Sequence, residues 1–203
     1  MALKFSQDSV NLSSVSFLVA DPSALYRDLF SRLLHGFGAK TVHEAPYAET
    51  TVRLMRDRTV DFLICAADLP FNAEYGGTEG IELVRQIRLD PEHPLRTIPI
   101  IITMGTARRI SVGQARDSGA NFVLSKPVSP TVFYDRLVWI ARKPRPFWEN
   151  ENYFGPDRRF REPGQQGMPR RRSADLAAAE AADATADDAT DEQATELEGS
   201  DGQ

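Results

Sequence analysis

Three short segments of this chain are apolar almost without interruption, and they fix what it can fold into. They are Val15-Ser16-Phe17-Leu18-Val19-Ala20, Asp61-Phe62-Leu63-Ile64-Cys65-Ala66 and Ile98-Pro99-Ile100-Ile101-Ile102-Thr103. Runs of this length suit central parallel strands buried on both faces. A fourth segment, Ala39–Ala45, alternates as a half-buried edge strand should, and Asn121–Ser125 supplies a fifth. Helical patterns lie between them. Leu25, Leu29 and Leu33, with Phe30 and Leu34 beside them, form a stripe at four-residue spacing, opened by Pro22 and closed by Gly36. Leu83, Val84 and Ile87 follow Gly80, and Val112 and Ala115 precede Gly119, placed as a left-handed cap. Ser129-Pro130 starts a last helix carrying Phe133, Leu137 and Ile140. Five strands alternating with five helices predict an α/β fold, a doubly wound parallel sheet with helices on both faces.

Charge divides the chain into unlike parts. Residues 1–141 hold 15 basic and 15 acidic residues, 142–172 hold 9 and 4, and 173–203 hold none and 10. The boundaries expected are a lead over 1–13, the α/β domain over 14–142, a basic and aromatic strap over 143–172 and an acidic tail over 173–203. Recurrent prolines without apolar periodicity predict an irregular strap. With Leu176 and Leu197 as its only large apolar residues, the tail is expected to be disordered. One cysteine, Cys65, excludes a disulfide framework and a Cys-based zinc site. No apolar run reaches the ~18 residues of a membrane span, and the N-terminus lacks a signal-peptide core. A soluble protein of the reducing cytoplasm is the expectation.

Ligands of such sheets bind at the carboxyl ends of the strands. There stand Asp21 after the first run and Lys126-Pro127 after the fifth, with Leu69-Pro70 after the third and Glu79-Gly80-Ile81-Glu82-Leu83 opening a helix. In these residues the segment from about 14 to 141 resembles a response-regulator receiver domain of the CheY type. The resemblance implies a strand order of 2-1-3-4-5 and phosphotransfer from a histidine kinase to an aspartate.

The departures from that pattern bear on the chemistry. The acceptor position, four residues before Pro70, is Ala66, and the acidic pair after the first strand is Ala20-Asp21. The hydroxyl position, five residues past Pro99, is Met104, and the aromatic switch position is Val123. The segment from Pro70 to Gly80 is six residues longer than usual. Phosphoryl transfer needs a carboxylate nucleophile and a Mg²⁺ held by several oxygens. Ala66 supplies no nucleophile, and Asp21 alone makes at most a weak Mg²⁺ site. The reading is a pseudo-receiver with no catalytic residue and no required cofactor. The rival is a working regulator phosphorylated at Asp68, two residues further on, although Asp68 also reads as a turn residue. Without a phosphoryl partner, Lys126 is expected to pair with Asp21 or a backbone carbonyl.

The strap carries Arg145, Trp148, Tyr153, Asp157, Arg158, Arg159 and Arg161, and its basic residues are all arginine except Lys143. Arginine reads the O6/N7 edge of guanine, a carboxylate accepts from the base, and aromatic rings stack on it. The strap resembles the arginine-rich extension of the Cle group of CheY-like proteins, which implies cyclic di-GMP as a ligand and chemotaxis or the flagellar motor as the setting. The alternative is an adaptor whose strap is a basic linker. No helix-turn-helix pattern follows the domain, so sequence-specific DNA binding is not expected. The expected partner is a signalling or motor protein.

Overall fold

A computed structural model describes residues 10–73, 79–105 and 109–157. In chain order the elements are β1 (Ser16–Ala20), α1 (Ala24–Gly36), β2 (Thr41–Ala45), α2 (Ala48–Asp57), β3 (Phe62–Ala66), α3 (Glu79–Leu89), β4 (Ile100–Met104), α4 (Arg109–Asp117), β5 (Phe122–Ser125) and α5 (Pro130–Arg142). Two further strands follow, β6 (Phe147–Asn150) and β7 (Tyr153–Pro156). The first five strands form one parallel sheet of order β2-β1-β3-β4-β5, the order the resemblance implies.

Every residue of β1, β3 and β4 is buried, as their apolar runs predict. Alternate side chains serve opposite faces. Leu18, Leu63, Cys65, Ile100 and Ile102 face Met55, Val84, Ile87 and Ala115 of α2, α3 and α4. Phe17, Val19, Ile64 and Ile101 face Phe30 and Leu34 of α1 and Phe133, Leu137 and Ile140 of α5. Leu12, at 5% exposure, belongs to this second layer with Val10 beside it, so packing begins earlier than residue 14.

One local expectation shifts in part. On α1 the buried stripe is Phe30 and Leu34, with Tyr26 partly buried, while Leu25 is 73% exposed. The Phe30 ring meets Phe133 edge-on at 5.1 Å, so of the expected stripe it is Phe30 and Leu34, not Leu25, that face the core. α1 ends at Gly36 as expected, and the left-handed residue that follows is Gly38 (φ 98°). Gly38 N donates to His35 O and Ala39 N to Leu34 O, the Schellman pairing. Gly119 has φ 91° as expected, and Pro130 opens α5 behind Ser129.

The larger correction concerns the strap, whose first part is not irregular. Strands β6 and β7 form an antiparallel hairpin closed by Glu151 and Asn152. Two arginines bind it to the body. The fully buried Arg88 of α3 donates Nε to Gly119 O at 3.0 Å, Nη1 to Arg96 O, and Nη2 to Ile98 O at 2.8 Å and Asn121 Oδ1 at 3.0 Å. Phe147 lies 5.2 Å from its guanidinium carbon. Burial pushes the Arg88 pKa down to about 9, so the group stays protonated at neutral pH. Arg96 stacks 3.6 Å over Phe154 and pairs with Glu149 at 2.5 Å. Gly155 packs against Gly119, where an added Cβ would stand 2.7 Å from the Gly119 Cα.

No described helix is long and apolar enough to cross a membrane. The expectations for residues 158–203, the acidic tail included, lie outside the described residues, as does most of the long connection after Pro70.

Replacing Arg88 by Leu would take the guanidinium from three carbonyls, Gly119 O, Arg96 O and Ile98 O, while Asn121 Oδ1 keeps the Ile100 N–H at 2.9 Å. Each buried unsatisfied group costs ~1–3 kcal/mol, so Arg88→Leu is expected to lower unfolding free energy by about 3 kcal/mol or more. Urea denaturation followed by circular dichroism checks this; a loss under about 1 kcal/mol would mean that the arginine is not the anchor.

Candidate functional site

The carboxyl ends of β1, β3, β4 and β5 converge on one buried ion pair. Asp21, one residue past β1, is 1% exposed. Its Oδ2 lies 2.5 Å from Lys126 Nζ, and the two side chains are 2% and 6% exposed. Several contacts hold each partner. Asp21 Oδ1 accepts the Ser23 backbone N–H at 2.9 Å, and the Asp21 N–H donates to Ala45 O at 3.0 Å. Lys126 N donates to Met104 O at 2.6 Å, and Nζ lies 4.3 Å from the centre of the Tyr26 ring. The Lys126–Pro127 peptide is cis. Arg27 donates to Asp21 O at 2.8 Å and reaches Glu44 at 3.6 Å.

Small and apolar groups surround the pair's strand ends. Ala20 and Ala66 are fully buried and Met104 is 4% exposed. The first turn of α3 rests on the end of β3, where a Cβ on Gly80 would fall 1.9 Å from Ala66 O. Only a glycine permits that approach. Val123 is partly buried. On β4 the hydroxyl belongs to Thr103 rather than residue 104, and its buried Oγ1 has no hydrogen-bond partner among the described residues. Asp68 is exposed in the turn after β3, a turn closed by Leu69 N donating to Ala66 O at 3.2 Å. Cys65 stands between these groups. Burial chiefly, then the charges of Asp21 and Asp68, push its thiol up to about 12, with Lys126 opposing. It is inert at neutral pH. Among the described residues, no group of three or more His, Cys, Asp or Glu side chains could hold a metal ion.

Of the seven strap residues singled out in the sequence, four are described. Trp148, Tyr153 and Asp157 line one groove of about 930 Å³. Arg145 does not join them. It donates to Asn121 O at 2.5 Å, lies 5.4 Å from the Trp139 ring centre, and lines a separate groove along β5. Its half-burial lowers its pKa. The Tyr153 hydroxyl donates to Pro156 O at 2.9 Å. Arg158, Arg159 and Arg161 lie outside the described residues. Sequence reasoning missed Ser23, Tyr26 and Arg27 around the pair, although Ser23 caps α1 two residues past Asp21 and the other two lie in its first turn.

The model of the response regulator receiver domain matches residues 17–138, which is more than half of the chain. The chain belongs to the response regulator receiver domain family. The receiver is 24% identical over 124 residues to the chemotaxis protein CheY-3 of Vibrio cholerae, covering 61% of this chain and 89% of that protein. It is also 24% identical to the chemotaxis protein CheY of Pseudomonas aeruginosa, over 64% of this chain and 98% of that one. Among solved structures, a putative response regulator from Chloroflexus aurantiacus superposes with a TM-score of 0.53 at 26% identity. That match covers 63% of this chain and 98% of the other. A two-component response regulator from Clostridium difficile gives 0.54 at 19% identity over 64% and 98% of the two chains, a likeness of fold alone. The family match stops before the hairpin, so β6 and β7 are an addition to the receiver body.

In this receiver the Asp21–Lys126 pair is buried, and removing one partner leaves an uncompensated charge. Lys126→Met is expected to cost about 3–5 kcal/mol, read from urea unfolding at neutral pH. Unchanged stability would show that the pair does not order this end of the sheet.

Proposed function

We propose that this receiver takes no phosphoryl group, catalyses no reaction of its own and signals by binding a protein partner. The carrying observation is the closed ion pair between Asp21 and Lys126 beside the buried methyl of Ala66. An aspartyl phosphate needs a carboxylate where Ala66 stands, and a lysine available to the transferred group. Here the lysine already has an anion. Mg²⁺ requires near-octahedral oxygen donors, and Asp21 gives one of its oxygens to Lys126 and the other to the Ser23 N–H. Exposed Asp68 sits in the turn, about 6.6 Å along an extended chain from residue 66, and misplacing a reacting group by ~1 Å already costs about 10²-fold in rate.

Incubation with acetyl phosphate and Mg²⁺, followed by intact-mass spectrometry, tests the reading. The unmodified mass is expected throughout. A phosphoryl adduct mapped to Asp68 would establish the rival, a working phosphorelay regulator.

The 24% identical relatives are named as chemotaxis proteins, which supports a signalling or motor protein as the partner class. A second reading concerns the strap: Arg158, Arg159 and Arg161 bind cyclic di-GMP. It is supported by Asp157, which leads directly into the arginine pair, and by the exposed ring of Trp148. Arg145 would support it through Asp157, whose carbonyl accepts from Arg145 Nη1 at 3.4 Å while Nη2 holds Asn121 O. Each good arginine–guanine pair is worth ~1–3 kcal/mol, so Arg158→Ala and Arg159→Ala should each weaken binding roughly tenfold. Calorimetric titration checks this with GTP and cyclic di-AMP as competitors; equal affinity for all three would reduce the strap to a basic linker.

A further inference from the structure

A two-stranded sheet has two edges, and the hydrogen-bond phase of the β6–β7 hairpin says which groups each edge carries. Asp157 N donates to Pro146 O at 2.8 Å, so Pro146 and Asp157 are a bonded pair. Bonded and non-bonded pairs alternate along an antiparallel ladder. Trp148 with Gly155 and Asn150 with Tyr153 are therefore bonded pairs as well. Pro156, which has no N–H to give, stands opposite Phe147 at a non-bonded position, as this phase requires. The backbone N–H and C=O groups of Phe147 and Glu149 thus point away from β7.

The two edges differ in what meets them. The β7 edge is covered by the body: a Cβ on Gly119 would fall 2.4 Å from Phe154 O, and Gly155 and Pro156 are buried. On β6, Trp148, Glu149 and Asn150 are exposed. Among the described residues, the backbone N–H and C=O groups of Phe147 and Glu149 have no hydrogen-bond partner. Edge strands are commonly blunted by lysine, proline or a bulge. Phe147–Asn150 contains none of these, and its one charge, Glu149, already pairs with Arg96.

We propose that β6 pairs antiparallel with β6 of a second copy of this chain, about a two-fold axis at Trp148. The strand itself selects that register. With the axis at Trp148, Phe147 of each copy faces Glu149 of the other. Each N–H then donates to the C=O of the residue it faces, and every outward group is used. Moving the axis to Glu149 would set two carboxylates opposite each other, which is destabilising. Moving it to Phe147 would leave Glu149 beyond the end of the partner strand. Pro146 falls opposite Asn150 of the second copy, at a non-bonded position where no N–H is needed. The product is one sheet of strand order β7-β6-β6-β7. Because both copies use the same patch, the contact closes on itself and builds a dimer rather than a fibre. The ladder bonds lie in the plane of the sheet and the side chains stand off it. Pairing therefore sets two indoles side by side on one face and does not take Trp148 from the ligand of the strap.

The test is sedimentation equilibrium of the full chain from ~1 µM to ~1 mM. So short an edge belongs with the weak interfaces that bury less than ~1,200 Å². A reversible dimer is expected at roughly 0.1 mM and above. Glu149→Pro and Glu149→Ala both lose the ion pair to Arg96, but only proline also removes the outward N–H. The proline chain should dimerise about tenfold more weakly than the alanine chain, with a similar melting temperature, since that N–H serves no bond within the hairpin. Cross-linking reads the register separately. Trp148→Cys brings two sulfurs together across the axis, within disulfide reach, whereas Asn150→Cys places them on opposite flanks. Oxidation should link the first variant and leave the second monomeric; Cys65 is fully buried and does not compete. Three results would overturn the proposal: a monomer at every concentration, equal dimerisation of the proline and alanine chains, or linking of Asn150→Cys as readily as Trp148→Cys. No phosphoryl donor or nucleotide enters these measurements, so they fail separately from the readings of the receiver site and the strap.

Discussion

The buried bond between Lys126 and Asp21 is the interaction on which the site depends. It joins the ends of β1 and β5 across the top of β3 and β4, and both ions are almost wholly out of water. Removing a charge from water costs several kcal/mol, recovered only where the partner's geometry and extra hydrogen bonds are good. Here the Ser23 N–H serves the carboxylate and the Tyr26 ring lies against the ammonium. In this structure each of the two charges therefore has the other as its counter-ion. With methyl groups at Ala20 and Ala66 and a thioether at Met104, the end of the sheet is built around one closed contact.

At the other end of the sheet, the chain does something the receiver pattern does not describe. Arg88 and Arg96 collect the β6–β7 hairpin onto the connections that precede β4 and β5. Buried Arg88 meets carbonyl and amide oxygens rather than a carboxylate, so it holds loop backbones together. Gly155 packs on Gly119 from the other face of the hairpin, where Trp148 is exposed. The buried ion pair and the hairpin therefore lie at opposite ends of the sheet.

Much of the fold was legible because burial on both faces leaves a plain mark. The runs of β1, β3 and β4, the Ser129-Pro130 helix start and Gly119 all follow from local chemistry, and Asp21, Ala66 and Lys126 were picked out by the resemblance to the receiver pattern. What escaped depends on tertiary choice. Leucines and aromatics compete on adjacent faces of α1, and only packing against Phe133 decides for Phe30. The hairpin was hidden by Pro144, Pro146 and Pro156, which read as breakers, although Phe147-Trp148-Glu149-Asn150 and Tyr153-Phe154 flank a two-residue turn. Arg88 sits four residues after Val84, on the apolar stripe of α3, and that placement was the readable sign of a buried guanidinium. The separation of Arg145 from Trp148 could not be foreseen, because it depends on the carbonyl of Asn121.

The closed state of the ion pair is tested most directly by amide NMR of the isotope-labelled chain, titrated with beryllofluoride and Mg²⁺. Beryllofluoride mimics a phosphoryl group on an aspartate, so a receptive site would bind it without a kinase. Unchanged resonances for Asp21, Ala66, Asp68, Met104 and Lys126 at saturating reagent are the expected result. Saturable shifts centred on Asp68 and Lys126 would contradict it, since they would mean that Lys126 leaves Asp21 to meet a phosphoryl group.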